Sequence, residues 1–523
     1  ALPLRNPFVA EDLDLKPRNE TSKLPWRVPL PDALLKALRS GLPDALQSLP
    51  ERGRLLQAYF RQDDTFDLPK ACLNVEIYCP WIAQSLENRI LAMAWCRAVT
   101  EELNEMSYDA DAAGLFYSLG SGSRSLSLAF AGYQDKLPVL LRKTVEKMDG
   151  LQDISEQTWG LIHTVMLRNA KNAAKNRPPY HQASELESRC LFRTALTSLE
   201  MLKEVEALTR EKVQGMGKKL LASCYAEALL QGNFTEAEVG KVLEALQPIL
   251  RPSQAIDKLP PIHVGKLPHP GRTVLVRQQG SNPDEKNGAV TLMLQADEES
   301  LSSSLLCELT AQVLAQRCFD DLRTKQQLGY IVALQNFSDR LLGGGYCGIK
   351  VIVQSEIPAA EVHRRIDEWL GPALSGLADE AENPDEKLAE YVEALLTKKQ
   401  EKPKKLADEF ARNWSEVKSR FYCFSRRDEA ISFLERPVAE VLAQFRAFVR
   451  DRLVPAPRLA VEILGAASAP TKPTESGYTA ESSEPAEQAK AYEGAEMVLE
   501  TLEEIEAFRS KLSCLQSNIT IAD

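Results

Sequence analysis

The chain has 523 residues. At roughly 150 residues per domain that length gives three to four domains or two large ones, and it excludes a single small module. Acidic residues outnumber basic ones, 74 to 63, for a formal net charge of -11. Nonspecific binding to nucleic acid needs a surplus of cations to release counterions, so that class is excluded. A hydrophobic content of 44% and a charged content of 26% are those of a globular chain with a sizeable core.

The first 50 residues read as a strap with a short helix around 33–39, because five prolines interrupt 23–50. A first α+β domain is expected over 51–250. Residues 55–60 and 72–78 (CLNVEIY) read as strands and 88–106 as a helix. LFYSL (115–119) and SLSLAFAGY (125–133) form a strand, turn, strand unit, and a further helix starts at DKLPVLLRKTVEKM. Helices are then expected over 156–176, 185–206 and 213–230. A proline-rich linker follows at 251–271, with five prolines and two glycines.

The same order recurs in a second domain over 272–465. Strands are expected at 273–277 and 289–295, a helix at 299–322, strands at 328–334 and 346–355, and a helix at 358–370. Helices at 386–399 and 405–420 follow. Gly114 and Gly329 occupy matching places about 215 residues apart, which reads as a tandem duplication. The fold class is therefore α+β, with two tandem homologous domains, each a mostly antiparallel sheet packed with helices. Residues 466–496 are rich in Ala, Ser, Thr, Pro and Glu and read as a low-complexity mobile segment. A last amphipathic helix is expected at 497–512, within a C-terminal part covering 497–523.

The sequence lacks a P-loop, a G-x-G-x-x-G, a G-x-S-x-G elbow, H-E-x-x-H and H-x-x-E-H. Its five histidines, His163, His181, His263, His269 and His363, stand far apart. The string from His363 to Asp367 (HRRID) reads as a solvated helix face, so no metal site is expected in this chain. The ten cysteines form no C-x-x-C pair, which fits reduced thiols and a cytoplasmic setting. No window has the length and apolarity of a membrane span, and the five N-x-S/T triplets carry no weight beside that cysteine usage.

Chemistry concentrates in RCFDDLRTKQQLGY, residues 317–330. On a helix, Phe319, Leu322 and Gln326 share a stripe while Arg323 projects elsewhere, and Gly329 lets the chain turn into the next strand. An Arg supplies a fixed fork of donors for a carbonyl or carboxylate, and a Tyr hydroxyl donates to a developing oxyanion. Arg323 and Tyr330 at one helix-to-strand corner are therefore candidate accessory catalytic groups. The plainer reading pairs Arg323 with Asp320 and packs Tyr330 under the sheet.

F-D-D-L-R-T-K-Q-Q-L-G-Y-I-V, the later Q-S-E-x-P, the earlier Q-D-D-x-F-x-L-P-K-A-C-L-N and K-P-K-K-L-A-D-E-F-A-R-N-W-S-E-V occur in an order that resembles the C-terminal half of the insulysin, nardilysin and pitrilysin family of zinc metallopeptidases. The resemblance runs from about residue 2 to residue 461, with a weaker trace at 500–512. It implies a peptidase clamshell of which this chain is one half, the third and fourth domains, with zinc held in an N-terminal catalytic half on the same or a separate polypeptide. It further implies that Arg323 holds substrate backbone, Tyr330 stabilises the oxyanion, Phe319 walls the adjacent pocket, and Lys404 and Lys405 bind anions on the chamber wall. The partners implied are the catalytic half, peptide substrates and a second copy forming a homodimer through this half, with no nucleic acid or membrane. The competing reading is a peptide-binding scaffold subunit that never joins a protease. The loop QNFSDRLLGGGY and an acidic stretch near 380–386 depart from the family pattern.

Overall fold

A computed structural model of the chain describes residues 5–18, 23–30, 32–40, 55–251, 256, 259, 262–341, 344–466 and 495–516. The segment expected to be mobile lies, over 467–494, outside the described residues, as do parts of the strap and the linker. In chain order the strands are β1 (Trp26–Arg27), β2 (Leu56–Gln62), β3 (Lys70–Tyr78), β4 (Phe116–Ser121), β5 (Ser125–Tyr133), β6 (Tyr225–Gly232), β7 (His263–Gly265), β8 (Thr273–Gln279), β9 (Gly288–Glu298), β10 (Ile331–Ser338), β11 (Tyr346–Ser355), β12 (Arg458–Leu464), β13 (Ala495–Leu499) and β14 (Cys514–Gln516).

Two six-stranded sheets run in the order β1-β2-β6-β3-β5-β4 and β10-β11-β9-β12-β8-β13. Read from opposite ends, five consecutive strands of each sheet, β2-β6-β3-β5-β4 and β8-β12-β9-β11-β10, have the same plan. The last strand of the repeat slots between the first two, parallel to the first and antiparallel to the second (β6 with β2 and β3, β12 with β8 and β9). The duplication is thus visible in topology, in an α+β fold whose sheets are antiparallel apart from these insertions and the edge pair β13 with β8.

Each sheet packs one face on helices of its own repeat. The Ser85 hydroxyl caps the helix Leu86–Glu102 by accepting from the Asn88 N–H at 3.0 Å, and Ser300 does the same for Leu301–Cys318 at 3.1 Å. The other face is covered by a helix from the opposite repeat. Helix Leu406–Ser419 lays Leu406, Phe410 and Val417 on Tyr59, Cys72 and Leu229 of the first sheet. Helix Pro179–Leu191 lays Ala183, Leu186 and Cys190 on Val274, Val276, Met293 and Val461 of the second, where Ile505 and Phe508 of helix Leu502–Lys511 join them. Full burial of each such aliphatic or aromatic side chain contributes about 1.5–3 kcal/mol, so the exchange ties the repeats into one body.

The exchange also explains where local sequence misleads. Residues 213–230, rich in Ala, Leu and Lys, read as a helix. They form two short helices, Arg210–Val213 and Met216–Leu221, and then β6, which is buried along its whole length. Covered on both faces, β6 shows no alternation, and its position between β2 and β3 overrides its helix-forming composition. The helix expected over 185–206 is two helices, Pro179–Leu191 and Ser198–Glu206, because Thr197 and Glu200 form a capping box that starts the second. A second capping box, Thr501 with Glu504, splits 497–512 into β13 and helix Leu502–Lys511. The helix expected at 88–106 ends at Glu102, and helices Arg426–Leu434 and Val438–Phe448 had no counterpart in the sequence reading. His363 is not on a solvated face: it is fully buried, its Nδ1 2.8 Å from Glu462 Oε1.

At the second seam Glu187 of the exchanged helix accepts from Lys350 Nζ on β11 at 3.0 Å. Burial, with Glu187 and Glu299 opposing Lys350, pushes the nearby Asp339 carboxyl up to about 7. A carboxyl raised in the folded state contributes stability that is fully present below its unfolded value and is lost as pH rises through about 7. Asp339→Asn should therefore raise the urea midpoint over the parent more at pH 8 than at pH 5. An equal gap at both values would contradict this environment.

Candidate functional site

Helix Leu301–Cys318 does not stop where its periodicity fades. It continues into a π-helix, Phe319–Lys325, closed by the Gln326 N–H donating to the Asp321 carbonyl at 3.0 Å. The Leu328 N–H then donates to the Leu322 carbonyl at 3.0 Å while Gln327 takes the left-handed conformation, φ 52°. Gln327, not Gly329, turns the chain, at the modest cost of a non-glycine residue in that region. Gly329 is needed for close approach: a Cβ there would stand 2.0 Å from the Gln354 carbonyl oxygen on β11. The Gln354 side chain in turn accepts from the Tyr180 N–H of the exchanged helix at 3.4 Å, so the corner rests on both repeats.

Three predicted site residues meet here. The Arg323 guanidinium lies 4.6 Å from the Phe319 ring centroid and 4.8 Å from that of Tyr330. With two aromatic rings within 5 Å, Arg323 is held by cation–π contacts without a counter-ion among the described residues. No hydrogen bond or ion pair engages its N–H edge among the described residues, so the fork is available to a ligand. Tyr330, just before the edge strand β10, is 81% exposed, and Phe319 is 36% exposed, while Leu322 is buried. The plainer arrangement does not form: Asp320 accepts from Gln316 at 3.0 Å, and Tyr330 stands clear of the sheet.

Lys404 and Lys405 are exposed, and Lys405 begins helix Leu406–Ser419. No described contact joins them to the Arg323 corner. Their basic neighbours are held differently: Lys398 and Lys399 both reach Glu308, at 3.2 and 2.6 Å, and Arg427 donates to the carbonyls of Lys399 and Gln400 at 2.8 Å.

Sequence reasoning missed Asp321 and Trp369. The Asp321 carboxylate accepts from Trp369 Nε1 at 2.9 Å and from Lys325 Nζ at 2.8 Å. The acid was visible in F-D-D, but its partner lies 48 positions on, with no local signal.

The histidines do not suit a catalytic zinc. His163 stacks on Trp159, His181 on Tyr180, and His363 is engaged by Glu462. Among the described residues no group of three or more His, Cys, Asp or Glu side chains is placed to hold a metal, and no helix is long and apolar enough to cross a membrane. All ten cysteines are free and eight are buried.

Residues 1–204 match the family model described as the middle or third domain of peptidase M16, and residues 309–414 match the PQQ synthase PqqF-like C-terminal lobe domain 4. The insulin-degrading enzyme of Homo sapiens is 29% identical over 448 residues, covering 85% of this chain and 41% of its own length. That of Bos taurus is 31% identical over 402 residues, covering 76% and 38%. The chain thus spans about 40% of the length of these curated relatives. Among solved structures, pitrilysin aligns with a TM-score of 0.75 at 18% identity, over 99% of this chain and 49% of that one. A peptidase M16 inactive domain from Pseudomonas fluorescens aligns at 0.53 and 13% identity, over 78% of this chain and 96% of that one. A peptidase M16 model matches the first 204 residues, the insulin-degrading enzymes match most of the chain in sequence, and pitrilysin matches it in fold: the chain is related to the peptidase M16 family.

Proposed function

We propose that this chain is the noncatalytic C-terminal half of an insulysin-like zinc metalloendopeptidase: it encloses peptide substrates and supplies Arg323 and Tyr330 to an active site completed by another half. The observation that carries the reading is the corner itself. Arg323 is fixed by its ring faces with its donor edge open, beside an exposed Tyr hydroxyl, in the segment that carries the family motif.

In this reading the Arg323 fork holds a carbonyl of the peptide backbone next to the scissile bond. The Tyr330 hydroxyl donates to the oxygen on which charge develops, and Phe319 walls the adjoining pocket. A donor aimed at developing charge favours the transition state over the bound substrate, so it raises turnover more than affinity. Among the described residues none is grouped to hold a zinc ion, and in this reading the metal belongs to the catalytic half, on the same or a separate polypeptide. Lys404 and Lys405 form an anion-binding patch, a second copy docks through this half, and the free thiols suit a reducing, cytoplasmic setting.

The test is cleavage of a quenched peptide by this chain alone and by the chain paired with the metal-binding half. The expected result is chelator-sensitive cleavage only by the pair. Robust chelator-sensitive cleavage by the chain alone would sink the proposal. Full activity of the metal-binding half without this chain would favour the competing reading, a peptide-binding scaffold with no protease role.

A further inference from the structure

We propose that Asp321 and Trp369 are positioning residues for the Arg323 corner: the Asp321 carboxylate, pegged to the Trp369 indole, holds the π-turn in the register that stacks Arg323 between Phe319 and Tyr330. The proposal rests on the functional reading above for its turnover arm and on geometry alone for the rest.

A π-helix is less favourable than the α-helix it interrupts, so its register needs an outside restraint. Asp321 supplies one from both ends of the residue. Its backbone carbonyl accepts the bond from Gln326 that closes the π-turn. Its side chain takes Trp369 Nε1 at 2.9 Å on one oxygen and Lys325 Nζ at 2.8 Å on the other, with Arg317 Nε 3.6 Å away. Trp369 is itself packed in the second core. It is 9% exposed on helix Ala359–Ala378, between Ile366 and Ala373 of the second core, so the peg ties the site to packed helix and not to another loop. Arg323, by contrast, has no polar anchor of its own among the described residues. Its placement depends on the backbone two residues after Asp321. Among the described residues the neighbouring Asp320 bonds only Gln316, four positions back, and it serves as the control.

The first experiment is amide hydrogen exchange on the whole chain. Asp321→Ala and Trp369→Phe should each quicken exchange at Gln326 and Leu328 by about tenfold or more, Asp320→Ala should leave it unchanged, and Asp321→Asn, which keeps an acceptor for the indole, should be intermediate. The second is peptide cleavage by the assembled enzyme. Asp321→Ala should lower turnover by about tenfold or more with KM changed far less, as for a reacting geometry gone slack, and Asp321→Asn should recover part of it. Unchanged exchange in both Asp321→Ala and Trp369→Phe overturns the proposal, and so does quickened exchange with unchanged turnover. Arg323→Ala, run alongside, tells the two readings apart: if it too leaves turnover unchanged, the functional reading of the corner has failed as well.

Discussion

Arg420→Met should destabilise the chain by about 3–5 kcal/mol, the cost of leaving a buried charge without its partner. Glu227 lies in the middle of β6 and is fully buried, and Arg420 Nε is 3.3 Å from its Oε1. Hydroxyls of Tyr422 and Tyr225 donate to the same oxygen at 2.8 and 3.0 Å. Arg420 and Tyr422 both sit at positive φ, 58° and 51°, so the backbone after helix Leu406–Ser419 is bent to press them onto the first sheet. Neighbouring Gln231 accepts from Asn413 at 2.9 Å and donates to Glu409 at 2.7 Å.

The sign of the pH dependence follows from Glu227. Burial raises its carboxyl above the usual range, with Arg420 as the main opposing influence. A raised folded value means stability present below the unfolded carboxyl value and lost as pH rises. Removing Arg420 raises it further, so the loss should be greater at pH 8 than at pH 5, and Glu227→Gln in the same chain should recover part of it. Because each sheet is covered by the other repeat, the parent should unfold in one transition, followed equally at β5 and β11. An Arg420→Met chain within 1 kcal/mol (about the scale of a single surface contact) of the parent would contradict the seam.

How much of this was legible depends on how local the cause is. Strands β5 and β11 begin and end where their residues say, since each is bounded by turn residues and rich in Ser, Val, Ile or aromatic side chains. β6 was not legible alone, because YAEALLQG is buried on both faces and composed of helix formers. Its counterpart in the second unit, β12, was not expected as a strand either, so the repeat gave no cue to a closing strand before the linker. The split of 185–206 was written in Thr197-Ser-Leu-Glu200. The reciprocal helices had no sequence signal, because Phe410 and Leu186 look like core residues of their own repeats.

At the site, the residue types were legible and the geometry was not. Phe319 and Arg323, four positions apart, share a helix face, so their contact was available from spacing; the π-turn and the second ring, Tyr330, were not. Gly329 looked like the turn, but the left-handed residue is Gln327, and the glycine exists for the Gln354 carbonyl 2.0 Å from where its Cβ would be.

The second large effect concerns Tyr330. Its hydroxyl is exposed, its ring rests on Arg323, and it has no structural bond to lose, so Tyr330→Phe should leave stability unchanged. An oxyanion donor, however, is worth about 10²–10³ in turnover. Arg323→Ala removes the stack and the donor fork together and should lower both turnover and affinity, which makes the single hydroxyl the cleaner probe. The deciding measurement is therefore steady-state peptide cleavage by the assembled enzyme carrying Tyr330→Phe. The account predicts turnover lowered about a hundredfold or more with KM near that of the parent. Parent-like turnover, or a change confined to KM, would contradict it.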